Sequence, residues 1–250
     1  MNVLETAMSR LLAPKREALL SKLSRQGTAP KVLGAMGSVD RTRYAPLYSK
    51  HQAYDDRVLP IITSAGRSSL SQPSVVAIMT TLLNPQAGDR ILSVGTATGY
   101  QDHVLSLLVQ PGGSIVSVEV DKKLARSAQI LLRSLGVNNV QVIVADGTLP
   151  FTKQEAFDRA MFTASMIPES ILPIYDAIKE HGVCVVPVGG ADGYREACNL
   201  AVLRKENGDL KVETALPHYS FVISQGALGW LAYDRHIRNS RFERFFTPRG

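Results

Sequence analysis

Cysteine is scarce: Cys184 and Cys198 are the only two in 250 residues, so the chain can form one disulfide at most. Cys184 sits inside an apolar, strand-like run, which points to buried free thiols and a reducing, cytoplasmic setting. No apolar run approaches the roughly 18 residues that span a bilayer. The opening Met1–Thr6 lacks the basic-then-apolar layout of a secretory leader, so no membrane association is expected. Zinc-ligand spacing, a Gly-Lys-Ser/Thr phosphate loop and internal repeats are all missing, and no metal site is expected. Charge of one sign is not concentrated either. The net +6 arises from 28 basic against 22 acidic residues spread along the chain, denser near the C-terminus. That balance suits an acidic or carboxylate-bearing substrate and does not call for nucleic acid.

What is present is apolar enough, at 45%, to bury a substantial core in one main domain with appendages. Residues 15–36 read as two short helices broken at Gly27, and a helix is expected from Pro73 to Leu83. Strand patterns at 90–94, 114–120, 140–145, 157–163 and 182–188 alternate with helical ones at 99–109, 121–135 and 169–180. Such alternation implies an α/β fold with a parallel, doubly wound, Rossmann-like sheet. Two late strands, 197–204 and 211–223, suit an antiparallel hairpin turning at Asn207-Gly208.

The run Ile91-Leu-Ser-Val-Gly95-Thr96-Ala97-Thr-Gly99-Tyr100 organises the rest. A β-prone stretch stops at Gly95, a small-residue loop follows, and a helix opens at Tyr100, which together make a backbone cradle for a cofactor. About 20 residues on, a second strand ends at Glu119-Val120, where a carboxylate can accept both ribose hydroxyls. Dinucleotide loops want a middle glycine where Ala97 stands. The Gly95-x-x-x-Gly99 form suits S-adenosylmethionine, which carries a sulfonium and no phosphate. A third strand end, Ala145-Asp146-Gly147, puts a carboxylate at the adenine end of the cleft, although a plain Asp-Gly turn also explains it. Thr163, at the fourth strand end, is expected at the pocket mouth.

A second informative stretch, Thr63-Ser-Ala-Gly-Arg67-Ser-Ser69-Leu-Ser71-Gln-Pro73, gathers five hydroxyls and an arginine before a helix. Ser71 either caps that helix or, with Ser69 and Arg67, presents donors to a substrate carboxylate. From Gly226 the composition shifts to aromatics alternating with Arg and His, an arm expected to cover the substrate side or contact a second subunit as a homodimer.

With these stretches placed, residues 15–223 resemble the protein-L-isoaspartate (D-aspartate) O-methyltransferase family. The matching segments are Val39-Asp-Arg…Tyr44-Ala-Pro46, Ala53-Tyr54-Asp-Asp, Leu59-Pro60-Ile61 and Ser71-Gln-Pro73. The glycine loop, Val118-Glu119, Ala145-Asp146-Gly147, Thr163-Ala-Ser and Val185-Val-Pro187-Val-Gly189-Gly190 continue the match in order. The resemblance implies an N-terminal helical cap over 1–57, a methyltransferase domain over 58–225 and an extension over 226–250. It further implies methyl transfer to a carboxylate of an isoaspartyl or other peptide or protein substrate. Departures fall at Ser93, where the family usually has an acid, at Ala97, and in the longer, serine-rich loop 65–71. Two readings stay open beside the first: a methyltransferase of the same fold acting on a small metabolite, and a cofactor-binding module without turnover.

Overall fold

The computed structural model describes residues 3–63, 66–149, 156–171, 176–189, 197–227 and 229. Helices α1 (Val3–Arg25) and α2 (Pro30–Ser38) come first, then strands β1 (Leu59–Thr63) and β2 (Gly66–Leu70) and helix α3 (Pro73–Leu83). An alternating stretch follows: β3 (Arg90–Val94), α4 (Tyr100–Leu108), β4 (Ser114–Glu119), α5 (Lys122–Ser134), β5 (Val140–Val144) and β6 (Phe157–Phe162). Strands β7 (Ile178–Gly189), β8 (Ala197–Glu206) and β9 (Asp209–Ser220) complete the sheet.

Seven strands lie in the order β5-β4-β3-β6-β7-β8-β9. The first five run parallel, and β8 and β9 are antiparallel to their neighbours. The chain winds from β3 outward through β4 to β5, then returns to start β6 on the other side of β3. That reversal opens a crevice at the C-terminal strand ends, where ligands of such sheets bind.

Side-chain alternation covers both faces. Ile91, Met161, Val183 and Val185 join one apolar cluster, while Leu92, Phe162, Cys184 and Val186 join the other. Successive residues of a strand point to opposite faces, so near-continuous apolar runs are what a doubly covered sheet requires. The first cluster extends through Val104 and Leu105 of α4 to Leu23 of α1 and Met36 of α2. The N-terminal helices therefore share a core with one face of the sheet.

Two expectations need correction. The serine-rich stretch is not a loop throughout: Gly66–Leu70 pairs antiparallel with Leu59–Thr63, Ser69 opposite Pro60. The helix expected over 169–180 does not extend through its C-terminal part. Pro168–Ser170 is a single 3-10 turn, 172–175 lie outside the described residues, and β7 starts at Ile178 opposite Phe157. The hairpin at Asn207-Gly208 forms as expected, with both residues at positive φ. Among the described residues, no helix is long and apolar enough to cross a membrane.

Candidate active site

An open cleft of about 960 Å³ lies at the C-terminal ends of β3, β4 and β6. Its floor is the loop after β3. Gly95 N–H and Thr96 N–H donate to Val118 O at 2.8 and 3.3 Å, which folds the loop across β4. Gly95 stands at φ +98°, and an added Cβ would come within 2.2 Å of Thr163 Oγ1. The close approach is a lock, because the Thr163 hydroxyl donates to Gly95 O at 2.7 Å. Gly99, at φ +87°, opens α4 and packs against Leu132 of α5; it shapes the loop from behind and does not line the cleft.

Glu119 ends β4 at the cleft wall. Its Oε2 accepts from Ala97 N–H (2.9 Å) and its Oε1 from Asp121 N–H (3.0 Å). Each oxygen keeps a further lone pair, so the carboxylate is pre-aimed and still able to accept two hydroxyls. Val120, Asp121, Leu124, Gly147 and Thr148 continue this wall. Among the described lining residues there are two acids and no Lys, Arg or His. Such a lining would repel a pyrophosphate and suits a cationic cofactor carrying a ribose. The residues present therefore fit S-adenosylmethionine, with Glu119 for the ribose and the loop amides and Ala97 for close approach.

A second carboxylate, unforeseen in the sequence, sits fully buried beneath the loop. Asp102 Oδ2 accepts from Ser117 Oγ (2.8 Å), and Ser117 Oγ bonds Thr96 Oγ1 (2.7 Å). Burial pushes the Asp102 carboxyl up to about 6, only partly offset by the hydroxyls of Ser93 and Ser117. Asp102 Oδ1 and Ser93 Oγ are nonetheless buried without a well-formed partner.

The opposite wall is the end of the hairpin. Ser68, Ser69, Leu70 and Ser71 line the cleft. The Ser71 hydroxyl has no hydrogen-bond partner among the described residues, and it does not cap α3. Gln72 is the N-cap residue, and the first-turn amide of Ser74 is satisfied instead by Asp56 Oδ1 at 2.9 Å. Arg67 lies on β2 opposite Ile62; its side chain is outside the described residues. Behind Ser71 stands Arg41, 1% exposed, whose Nη2 donates to Ser71 O (2.6 Å) and Nε to Ala53 O (2.8 Å).

A strap from the C-terminal side closes the cleft. Ser165 N–H donates to Val222 O (2.7 Å) and Ser224 N–H to Ser165 O (2.9 Å), which draws Val222–Gln225 into the lining. Asp146 pins the end of this strap. Its Oδ2 accepts from Ala227 N–H at 2.6 Å, while Oδ1 accepts from Thr148 N–H and Oγ1. Asp146 thus stands behind the cleft wall rather than in it. Gly95, Thr96, Ala97, Tyr100, Glu119, Val120, Gly147, Thr163, Ser69 and Ser71 are brought together around one cavity. Arg41 lies in the family-matching segment Val39-Asp-Arg but drew no role there, and Asp102 and the strap gave no sequence signal, since each matters through burial or contacts distant along the chain.

Comparison with known proteins gives one consistent answer. The sequence model of the protein-L-isoaspartate(D-aspartate) O-methyltransferase family matches residues 14–227. The chain is 36% identical over 197 residues to the protein-L-isoaspartate O-methyltransferase of Paracoccus denitrificans, covering 78% of this chain and 87% of that one. It is 33% identical to the Fervidobacterium nodosum protein of the same name, covering 83% of this chain and 100% of that one. A solved protein-L-isoaspartate O-methyltransferase structure superposes with a TM-score of 0.78 at 25% identity, covering 86% of this chain and 67% of the other.

Proposed function

Because the chain belongs to the protein-L-isoaspartate(D-aspartate) O-methyltransferase family, we propose that it methylates a carboxylate of an isoaspartyl residue in a peptide or protein. Its methyl donor is S-adenosylmethionine, which supplies an already activated methyl group. The observation that carries the reading is one cleft with two kinds of lining: an anchored strand-end carboxylate, Glu119, and hydroxyls at the end of the hairpin, of which that of Ser71 has no partner among the described residues.

The chain's own residues have a limited task. A carboxylate acceptor is ionised near neutral pH, so no general base has to remove a proton. Glu119 orients the donor against the loop after β3, and Ser71 with Ser69 orients the acceptor oxygen. Positioning of this kind supplies most of the rate in a displacement between two pre-formed reactants. The strap and the end of the hairpin flank the place where donor and acceptor would meet. The cleft is open to solvent and lined by Ser69 and Ser71, so an acceptor can approach it from outside. The buried thiols of Cys184 and Cys198, not joined in a disulfide, support operation in a reducing compartment, the cytoplasm.

The test is transfer of labelled methyl to an isoaspartyl peptide and to its aspartyl twin, read as base-labile methanol. Label on the isoaspartyl peptide alone is the expected result. Tight cofactor binding with no transfer to either peptide would overturn the acceptor and leave the donor site standing.

A further inference from the structure

An anionic acceptor poses an electrostatic problem for this cleft. Its described lining contains Glu119 and Asp121 and no cationic side chain. The compensating charge lies one layer behind. Arg41 opens the 3-10 turn Arg41–Tyr44 and is 1% exposed. Its guanidinium carbon stands 4.6 Å over the ring of Tyr100, a cleft-lining residue, and its Nη2 holds the carbonyl of Ser71, another. Among the described residues its Nη1 is buried with no well-formed hydrogen bond.

Nearby acids are otherwise engaged. Asp56 pairs with Lys22 at 2.7 Å and accepts the Ser74 amide, and Asp40 accepts from Thr42 and Tyr54. Among the described residues Arg41 forms no ion pair. Burial weakens the hold of Arg41 on its charge, and the nearby carboxylate that offsets this, Asp56, is shared with Lys22, so the fold bears part of the cost of burying a cation beside the acceptor wall. An anion arriving at Ser71 would relieve it.

We propose that Arg41 is the specificity-determining residue for the acceptor, its buried guanidinium selecting a carboxylate over the neutral amide of the same shape. The proposal rests on the preceding reading that the acceptor is a carboxylate held at Ser71. Arg41 acts as a positioning charge: it fixes the Ser71 peptide from behind and sets the sign of the potential in front of it.

Binding without turnover tests this. The probes are an isoaspartyl peptide and its isoasparaginyl counterpart, titrated into protein saturated with S-adenosylhomocysteine. Wild type should prefer the acid by roughly tenfold or more. Arg41→Lys should keep most of that preference, and Arg41→Gln, in protein that still binds S-adenosylhomocysteine, should lose it, the readout being the ratio of acid to amide affinity rather than either affinity alone. An acid preference surviving in folded Arg41→Gln would overturn the role of Arg41 alone. Equal loss in Arg41→Lys and Arg41→Gln would make Arg41 a matter of shape and also overturn it. No preference in wild type would instead overturn the carboxylate reading itself, and this proposal with it. Should Arg41→Gln fail to bind S-adenosylhomocysteine, wild type decides through salt. A buried cation is little screened, so the preference should persist between about 0.05 and 0.5 M NaCl; a steep fall would assign selection to an exposed cation.

Discussion

Ala97 and Asp102 show how much local cost the cofactor loop carries. Ala97 sits at φ +48°, a left-handed position that costs an L-residue about 1–2 kcal/mol, and its amide is held there by Glu119. Asp102 costs more. Its folded value of about 6 lies above the ordinary 3.8, so the folded protein binds an extra proton between about pH 4 and 6. Stability from this group therefore falls as pH rises through that window and stays low above it, by up to about 3 kcal/mol. In Asp102→Asn the amide oxygen can still accept from Ser117, and the amide nitrogen gains the unpartnered Ser93 hydroxyl as acceptor. The variant should melt higher than wild type near pH 8, with the difference shrinking towards pH 4. A gap that does not change with pH would mean that ionisation of Asp102 is not its cause. None of this is visible in Tyr100-Gln-Asp102, because the burial of a helix residue under a loop is a tertiary fact.

At the scale of elements, the glycine loop and Glu119 were legible because strand, turn, helix and acid follow one another within 30 residues. The hairpin was not, since serine and glycine have weak strand propensity and only pairing with Leu59–Thr63 makes Gly66–Leu70 a strand. The helix expected over 169–180 failed at its end for a related reason. Ile171, Ile174 and Ile178 recur at helical spacing, yet Ile178 is taken by β6 pairing. The start of α3 separates two roles that its sequence merges. Asp56, reaching from a distant segment, satisfies the Ser74 amide, whereas Ser71 lines the cleft and its hydroxyl has no partner among the described residues. Asp56→Ala should therefore lower stability by about 1 kcal/mol, as loss of a cap does, with turnover of folded protein little changed. Ser71→Ala should do the reverse: a roughly 10- to 100-fold fall in turnover, the order lost with one hydrogen bond to a charged group. Its melting temperature and S-adenosylhomocysteine affinity should match wild type. Equal losses of stability in the two variants would return Ser71 to a purely structural role.

For the molecule as a whole, the cleft is assembled from both ends of the chain. Residues near the N-terminus hold the acceptor wall through Arg41, the central sheet supplies the loop and Glu119, and Val222–Gln225 close the remaining side. Chain order alone could not show this, because the strap is fixed by two backbone bonds to Ser165 and one side-chain bond from Asp146, all far away in sequence. Gly226, at φ +132°, lies so close to Asp146 that an added Cβ would meet Oδ1 at 2.1 Å. The family match ends at residue 227, the same point at which the strap is pinned. Two truncations separate the strap from the arm beyond it. A chain ending at residue 229 keeps Val222–Ala227 and its three anchors, so its S-adenosylhomocysteine affinity should stay within about threefold of wild type. A chain ending at residue 221 loses that side of the cleft, and its affinity should fall at least about tenfold, a deficit of about 1.4 kcal/mol. Sedimentation of the longer truncation then reports on the arm itself: a change in subunit number would assign residues 230–250 to assembly. An unchanged mass with weaker peptide binding would assign them to the acceptor side. If the two truncations bind S-adenosylhomocysteine equally well, the strap is not part of the cofactor site.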